Sequence, residues 1–249
     1  MTISEYHRPA TLEEALALLG RTEVKSAPLG GGTALNGLPE DELEAVVDLQ
    51  SLGLDSTSKE ENTLTIGAMT TLNGLTEDDS VPPMLRELSH REAPNTIRNA
   101  ATIGGTIGVV SPESGLLAGL LAYNARVTVV NQTGSNEVSL GNLFADSSHL
   151  DSGIITSVSV PTGGAGAYEH TARTPADIPI VLIAGHAVGS GSIQLAATGV
   201  GETPIIIDPG QIGALEPQPD FRGSADYRRH LADVLSQRVL SRLEPGGNP

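Results

Sequence analysis

Two glycine-rich segments carry the residues best suited to bind an anion. Residues 28–33 read Pro-Leu-Gly-Gly-Gly-Thr, and residues 101–106 read Ala-Thr-Ile-Gly-Gly-Thr. Adjacent glycines leave backbone N–H groups uncovered by side chains, so that an anion such as a diphosphate can approach them closely. One such turn would mean little in a chain with 29 glycines. Two of the same kind, each flanked by apolar residues, predict one ligand that is held from two sides.

Neither segment follows the common nucleotide-binding patterns. Neither is followed by the Gly-Lys-Ser/Thr of a P-loop, and neither has the Gly-x-Gly-x-x-Gly spacing of a dinucleotide-binding βαβ unit. Taken alone, each segment is therefore interpreted as a tight turn. The interpretation as a binding site depends on the pair and on the residues around it.

Other residues with chemical potential give weaker signals. The 6 histidines are scattered without ligand spacing, so no metal site is predicted. Residues 189–192 (Gly-Ser-Gly-Ser) lack the spacing of a nucleophile elbow and are predicted to form a hairpin turn. Arg98 beside Asn99 is predicted to be a core or interface pair. No catalytic acid or base is assigned.

The composition restricts the function further. The formal net charge is −16 with a pI near 4.6, which argues against a nucleic-acid surface, since phosphate contacts require clustered Lys and Arg. Acidic clusters at 40–42 and 77–79 are predicted to lie in loops.

The absence of cysteine excludes thiolate catalysis and cysteine-ligated iron–sulfur clusters in this chain. No signal peptide or membrane-spanning apolar run is recognised, so a cytoplasmic location is expected.

Hydrophobic patterns divide the 249 residues into three units. The first unit, 1–51, has a helix that Thr11 caps, with Glu14 completing a capping box. Residues 27–29 lead into the first glycine turn, and a short buried strand is predicted at 45–49. The second unit, 52–163, has predicted helices at 83–91 and 116–123 and predicted strands at 63–68, 125–130 and 154–160.

The third unit, 164–249, begins in a glycine cluster at 163–166, which is typical of a boundary. Its predicted strands cover 180–188, 192–197 and 205–207. A helix is predicted over 225–243, and the residues expected on its buried face are Tyr227, Leu231, Val234, Leu235 and Leu243.

Together these motifs resemble the FAD-binding medium subunit of molybdenum hydroxylases, the flavoprotein of the carbon monoxide dehydrogenase and xanthine dehydrogenase type. Residues 28–35 resemble the first flavin loop of that family. Residues 97–106, which contain Ile-Arg-Asn and Ala-Thr-Ile-Gly-Gly-Thr, resemble its second loop, and 66–72 (Ile-Gly-Ala-Met-Thr-Thr-Leu) resemble the segment between them. With 197–204 and 223–229 resembling its C-terminal domain, the similarity runs from about residue 6 to residue 242.

This resemblance implies an α+β fold in which two small α/β subdomains hold FAD and an α+β domain with an antiparallel sheet and helices follows. Both glycine loops would contact the diphosphate of the flavin, and an apolar residue would lie near its ring. Carried over position by position, the implied cofactor-binding residues are Leu29, Gly30, Gly31, Gly32, Thr33, Ala34, Leu35, Ala101, Thr102, Ile103, Gly104, Gly105, Thr106, Gly115 and Ile155.

Three positions depart from the family pattern. Thr106 replaces the usual Asn, His170 stands where some relatives have Lys, and Gly115 occupies the position of a cofactor-holding Asp. Charge-assisted hydrogen bonds of such a carboxylate are worth about 1.5–3 kcal/mol each. Glu113 is the nearby acid that could reach the same place.

The resemblance implies an electron-transfer subunit of a hetero-oligomeric molybdenum hydroxylase. Electrons would arrive from an iron–sulfur subunit, after substrate oxidation in a molybdopterin-binding subunit, and would leave to an acceptor such as NAD or a quinone. One alternative is a non-catalytic scaffold of the same fold with weak or lost flavin binding. Another, a free-standing flavin oxidase, lacks a recognisable base or substrate pocket in the sequence.

Overall fold

Three β-sheets follow one another along the chain. The computed structural model describes residues 3–35, 43–174, 177–188 and 191–244, and within them all strands belong to these three sheets. Each sheet is built from one of the three units distinguished in the sequence. The boundaries at 51/52 and 163/164 stay predictions.

The first sheet is small and parallel. Its strands are β1 (Glu5–His7), β2 (Ser26–Leu29) and β3 (Ala45–Asp48), with β3 in the centre, and helix α1 (Leu12–Leu19) connects β1 to β2. Thr11 caps α1 as predicted, because its hydroxyl accepts the N–H of Glu14 at 3.2 Å. The Glu14 carboxylate accepts the N–H of Ala10 at 3.0 Å, so the capping box closes one residue earlier than expected.

The second sheet has five strands, each antiparallel to its neighbours. They are β4 (Thr57–Glu60), β5 (Thr63–Gly67), β6 (Arg126–Asn131), β7 (Gly134–Ser139) and β8 (Ile154–Pro161), in the order β4-β5-β8-β6-β7. The connections contain α2 (Leu72–Glu77), α3 (Pro83–Glu92), α4 (Asn95–Arg98), α5 (Ile103–Val109), α6 (Gly115–Ala122) and α7 (Leu140–Ala145). Helix α6 is apolar on every side and is therefore buried in the core.

The third sheet is antiparallel and has four strands. They are β9 (Ala165–Thr171), β10 (Val181–Val188), β11 (Ser192–Thr198) and β12 (Ile205–Ile207), in the order β12-β11-β10-β9. Helix α8 (Ala225–Leu243) packs on this sheet, and apolar residues from both form a separate buried cluster. The antiparallel sheet with a terminal helix confirms the fold expected for this part of the chain.

The predicted face of α8 is only partly correct. Leu231 and Leu235 are buried as expected, but Tyr227 is 42% exposed. Arg228 is buried in its place, since its guanidinium pairs with Asp220 at 2.7 Å and donates to the carbonyl of Ile180 at 2.8 Å. A charged residue with enough partners can thus occupy a position that the apolar pattern assigns to its neighbour.

The sequence patterns did not predict the short polar strand β7. Strand β7 reads Gly-Ser-Asn-Glu-Val-Ser and lies mostly exposed at the edge of its sheet, so it has no alternating apolar pattern to detect. Strand β9 begins at Ala165, inside the glycine cluster that was predicted to be a boundary. The acidic cluster at 40–42 and residues 189–190 of the predicted hairpin turn lie outside the described residues.

Candidate functional site

The two glycine segments lie against each other, although they are far apart in the sequence. The first forms the loop after β2, and the residues just before α5 pack onto it. A Cβ atom built at Gly31 would overlap the carbonyl group of Ala100, so the two backbones approach as closely as only glycine allows. Gly32 has a φ of 70°, in the left-handed region that also favours glycine. The fold thus brings the two predicted segments into one site.

The first loop has backbone donors available for a ligand. Within residues 3–35, 43–174, 177–188 and 191–244, no backbone or side-chain oxygen accepts a hydrogen bond from the N–H groups of Gly30, Gly31, Gly32 or Thr33. Successive backbone N–H groups in a turn are typical anion-binding donors. This loop therefore has the chemistry that the sequence predicts for it.

The second segment differs from the prediction. It is not an open turn but the first turn of α5, and Thr102 is its N-cap. The N–H of Ile103 donates to the carbonyl of Thr70 at 3.0 Å, and that of Gly104 donates to the carbonyl of Ala68 at 2.9 Å. The N–H of Gly105 donates to Oγ1 of Thr102 at 3.1 Å. The expectation of bare N–H groups in this segment is therefore wrong.

A cavity of about 570 Å³ lies where the two segments meet. Pockets for small molecules and cofactors typically measure roughly 300–1,000 Å³. Most of the residues predicted to bind the cofactor line it, namely Gly30, Gly31, Gly32, Thr33, Ala34, Leu35, Ala101, Thr102, Gly104, Gly105, Thr106 and Ile155. Leu29, Ile103 and Gly115 are not among the lining residues. Direct contact of any of these residues with a flavin stays a prediction.

Gly115 faces the protein core rather than the cavity. A Cβ atom built there would lie 3.1 Å from Cδ1 of Leu182 and 3.5 Å from Cδ2 of Leu88. The suggestion that Glu113 reaches the cavity is also wrong, because its carboxylate pairs with the guanidinium of Arg222. Neither residue brings a carboxylate to the site.

Glu92, the last residue of α3, is the acid that does line the cavity, and the sequence analysis missed it. Its Oε2 accepts the N–H of Leu116 at 3.0 Å, at the first turn of α6. Burial raises the pKa of Glu92, and hydrogen bonds from the Ser114 hydroxyl and from the N–H groups of Leu116 and Gly115 act in the opposite direction. No motif marks this residue, because its position depends on how α3 and α6 pack.

Arg98 holds the chain just after Glu92. Its Nη1 donates to the carbonyl of His90 at 2.9 Å and to that of Ala93 at 2.8 Å. The side chain is buried, with 8% of its residue surface exposed, in line with the predicted core role. Because both carbonyls flank Glu92 in the sequence, Arg98 restricts the position of the end of α3.

The cavity carries almost no formal charge. Among the described residues that line it, Glu92 is the only one with an ionisable side chain, and the other polar groups are hydroxyls and backbone amides. His170 does not line the cavity; it lies on β9, where its Nε2 is 2.7 Å from Nη2 of Arg91. Burial and the charge of Arg91 lower the pKa of His170. An anionic ligand would therefore be held by neutral donors.

The donor set and the shape fit FAD. The free N–H groups of the first loop can donate hydrogen bonds to a diphosphate, and the apolar side chains of Leu49, Leu150 and Ile155 can cover a flat ring system. Over the described part of the chain, no three His, Asp or Glu side chains gather as a metal site would require. In the same residues, no helix combines the length and apolar character of a membrane span.

Comparisons with known proteins agree with this site. The family described as FAD binding domain in molybdopterin dehydrogenase matches residues 2–163, a range that contains every residue lining the cavity. The chain is 28% identical to the uncharacterized protein YgfM of Escherichia coli over 98% of each chain. It is also 28% identical to the carbon monoxide dehydrogenase medium chain of Afipia carboxidovorans over 96% of each chain.

A solved structure shows the same fold. The structure of carbon monoxide dehydrogenase from Hydrogenophaga pseudoflava contains a chain that matches this one with a TM-score of 0.88 at 26% identity, over 97% of both chains. The family match and this likeness confirm the expected α+β fold, FAD as the cofactor and the assignment to an oxidoreductase. The chain belongs to the family of FAD-binding domains of molybdopterin dehydrogenases.

Proposed function

We propose that this chain is the FAD-binding electron-transfer subunit of a molybdopterin-containing hydroxylase or dehydrogenase. In this role it passes electrons from iron–sulfur clusters of a partner subunit to an external acceptor such as NAD or a quinone. The observation that carries the proposal is the cavity in which the first loop, with its free N–H groups, lies against the second glycine segment.

The residues of the chain bind and orient the cofactor. The N–H groups of Gly30 to Thr33 donate to the diphosphate, and the close contact of Gly31 with Ala100 holds this loop in place. Leu49, Leu150 and Ile155 exclude water from the ring. The isoalloxazine ring, when bound, supplies the redox chemistry, so the chain itself requires no catalytic acid or base.

The proposed partners follow from what the chain lacks. It contains no cysteine, so thiolate-ligated clusters must be held by another chain. The relative from Afipia carboxidovorans is named as a medium chain, which supports assembly with other subunits. We propose an iron–sulfur subunit and a molybdopterin-binding subunit as these partners. A cytoplasmic location stays a prediction.

Titration of the purified full chain with FAD tests the cofactor site. Binding quenches or shifts flavin fluorescence, and we expect FAD to bind more tightly than FMN because FMN lacks the diphosphate that the loop donors would bind. Reduced holoprotein is then mixed anaerobically with NAD or a quinone, and recovery of the flavin absorbance identifies the acceptor. A chain that retains no flavin in excess FAD, alone or with its partners, would refute the proposal.

The scaffold alternative has one specific observation in its favour. Only one of the two glycine segments has free N–H groups, and no Lys or Arg side chain of the described residues lines the cavity to offset the diphosphate charge. In that case the purified complex would contain this chain without flavin in stoichiometric amount. Flavin content per chain, measured after acid extraction of the native complex, separates the two functions.

A further inference from the structure

We propose that Glu92 is a flavin-positioning residue, whose carboxylate accepts a hydrogen bond from a hydroxyl or ring N–H of the bound cofactor. The inference rests on the proposed function, because it assigns a role within the same cavity. It starts from the position of Glu92, which lines the cavity from the end of α3 while its Oε2 is held by the N–H of Leu116 at 3.0 Å.

A structural role accounts for only part of what Glu92 does. At the start of α6, Oγ of Ser114 accepts the N–H of Leu117 at 3.1 Å and Oε2 of Glu92 accepts the N–H of Leu116 at 3.0 Å, so Glu92 completes the cap of this helix. A cap alone does not require a carboxylate that also lines the cavity. In the described chain, no Lys, Arg or His side chain forms an ion pair with Glu92. An ionisable group that is buried without a counter-charge costs stability, and such groups concentrate at functional sites.

The neighbourhood of Glu92 supports this reading. Residue 115, at the start of α6, brings no acid to the cavity, because it is a glycine and a Cβ there would face Leu182. The carboxylate of Glu92 reaches the backbone N–H groups of Gly115 and Leu116 from a different helix. The chain thus places an acid beside the same helix end, although the residue that provides it comes from α3.

Hydrogen bonds to the backbone after Glu92 and to its side chain keep the carboxylate in position. Arg98 donates to the carbonyl of Ala93, which follows Glu92, at 2.8 Å. The Ser114 hydroxyl and the Leu116 N–H hold the carboxylate itself. A side chain fixed by the backbone of one helix and by the cap of another loses little further freedom when it meets a ligand, as a preorganised contact requires.

The experiment compares Glu92→Ala and Glu92→Gln with wild type in FAD titrations of the full chain at pH 8, followed by flavin fluorescence. Glu60→Gln is the matched control, because it removes the same charge from an exposed residue of β4 outside the cavity. We expect Glu92→Ala to weaken FAD binding about 10- to 100-fold, with a smaller loss for Glu92→Gln and none for the control. Thermal unfolding of the FAD-free variants is measured in parallel.

The outcomes separate positioning from structure. A positioning residue gives weaker FAD binding in Glu92→Gln, which keeps an oxygen acceptor for the Leu116 N–H, without a lower melting temperature of the FAD-free chain. Wild-type affinity in folded Glu92→Gln and Glu92→Ala overturns the inference, and if Glu92→Ala does not fold, wild-type affinity in Glu92→Gln alone suffices. Failure of the wild-type chain to bind FAD would instead refute the proposed function, so the two failures are distinguishable.

Discussion

The two glycine segments both end in Gly-Gly-Thr but have different roles. In the loop after β2, the N–H groups of Gly30 to Thr33 are not used by any described residue. In the first turn of α5, the N–H groups of residues 103–105 all have partners, supplied by Thr70, Ala68 and Thr102. The first segment offers donors to a ligand, whereas the second uses its glycines to pack the helix against the sheet.

The difference comes from what each segment is next to. The first loop leaves the edge of a short parallel sheet, and among the described residues no carbonyl group accepts its N–H groups. The second is preceded by a threonine in extended conformation, which caps the helix, and it faces the carbonyls that follow β5. Whether a glycine N–H group is left without a partner therefore depends on the neighbouring carbonyl groups as much as on the residue type.

The largest effect is expected at Gly31. In Gly31→Ala the new methyl group would overlap the Ala100 carbonyl, so the loop must move and the alignment of its donors is lost. Loss of two hydrogen bonds to a charged group, at about 1.5 kcal/mol each, corresponds to roughly a 100-fold weaker FAD affinity. Fluorescence titration of the variant measures this loss.

Gly213→Ala is the matched control for this substitution. Gly213 lies in a short 3₁₀ helix outside the cavity, and a Cβ there meets no atom within 4 Å. Its FAD affinity should equal that of wild type. Equal affinities in Gly31→Ala and Gly213→Ala would contradict the role of the first loop.

Substitution of Gly104 tests the packing role of the second segment. A Cβ there would lie 2.8 Å from Cβ of Ala68 and 2.9 Å from its carbonyl oxygen, so Gly104→Ala should destabilise the fold by about 1–2 kcal/mol. Gly108→Ala in the same helix meets nothing within 4 Å and should be neutral or stabilising by up to about 1 kcal/mol. Urea unfolding of both variants measures the difference, and equal stabilities would refute the packing argument.

Substitution of Thr102 tests why the N–H groups of the second segment already have hydrogen-bond partners. Thr102→Ala removes the acceptor of the Gly105 N–H and should cost about 1 kcal/mol of stability, whereas Thr102→Ser keeps the hydroxyl and should cost less. Thr33→Ala in the first loop removes no hydrogen bond among the described residues and should change stability by less than about 0.5 kcal/mol. If all three variants unfold at the same urea concentration, the threonine hydroxyls of the two segments do not differ in their contribution to stability.

Local signals in the sequence predicted much of the fold. The cap at Thr11, the apolar spacing of α3 and the alternation of β5 are each contained within a few residues, and the structure confirms these elements. The resemblance to the family supplied the remaining architecture, including the antiparallel third sheet. Exposed edge strands such as β7 could not be found, because backbone pairing alone forms them.

The candidate site was predictable only in part. The sequence names the glycines, but it does not show that Ala68 and Thr70 supply carbonyl oxygens to α5. Glu92 gave no signal either, since it is one acid among 30 acidic residues and only the packing of α3 on α6 brings it to the cavity. Contacts between segments far apart in the sequence decide both points.

The smallest expected effect is the pH dependence of stability that Glu92 causes. Burial raises the pKa of Glu92 above its ordinary value of 4.5, so the folded FAD-free chain binds this proton more tightly than the unfolded chain does. The resulting stabilisation is complete below about pH 4.5 and is lost as the pH rises through the raised pKa.

Glu92→Gln has no such group, so its stability relative to wild type should increase from pH 4.5 to pH 8. Urea unfolding of both FAD-free chains at the two pH values measures this change. A relative stability that decreases instead would mean that the N–H groups at the start of α6 outweigh burial and lower the pKa, and Glu92 would then act mainly as part of the helix cap.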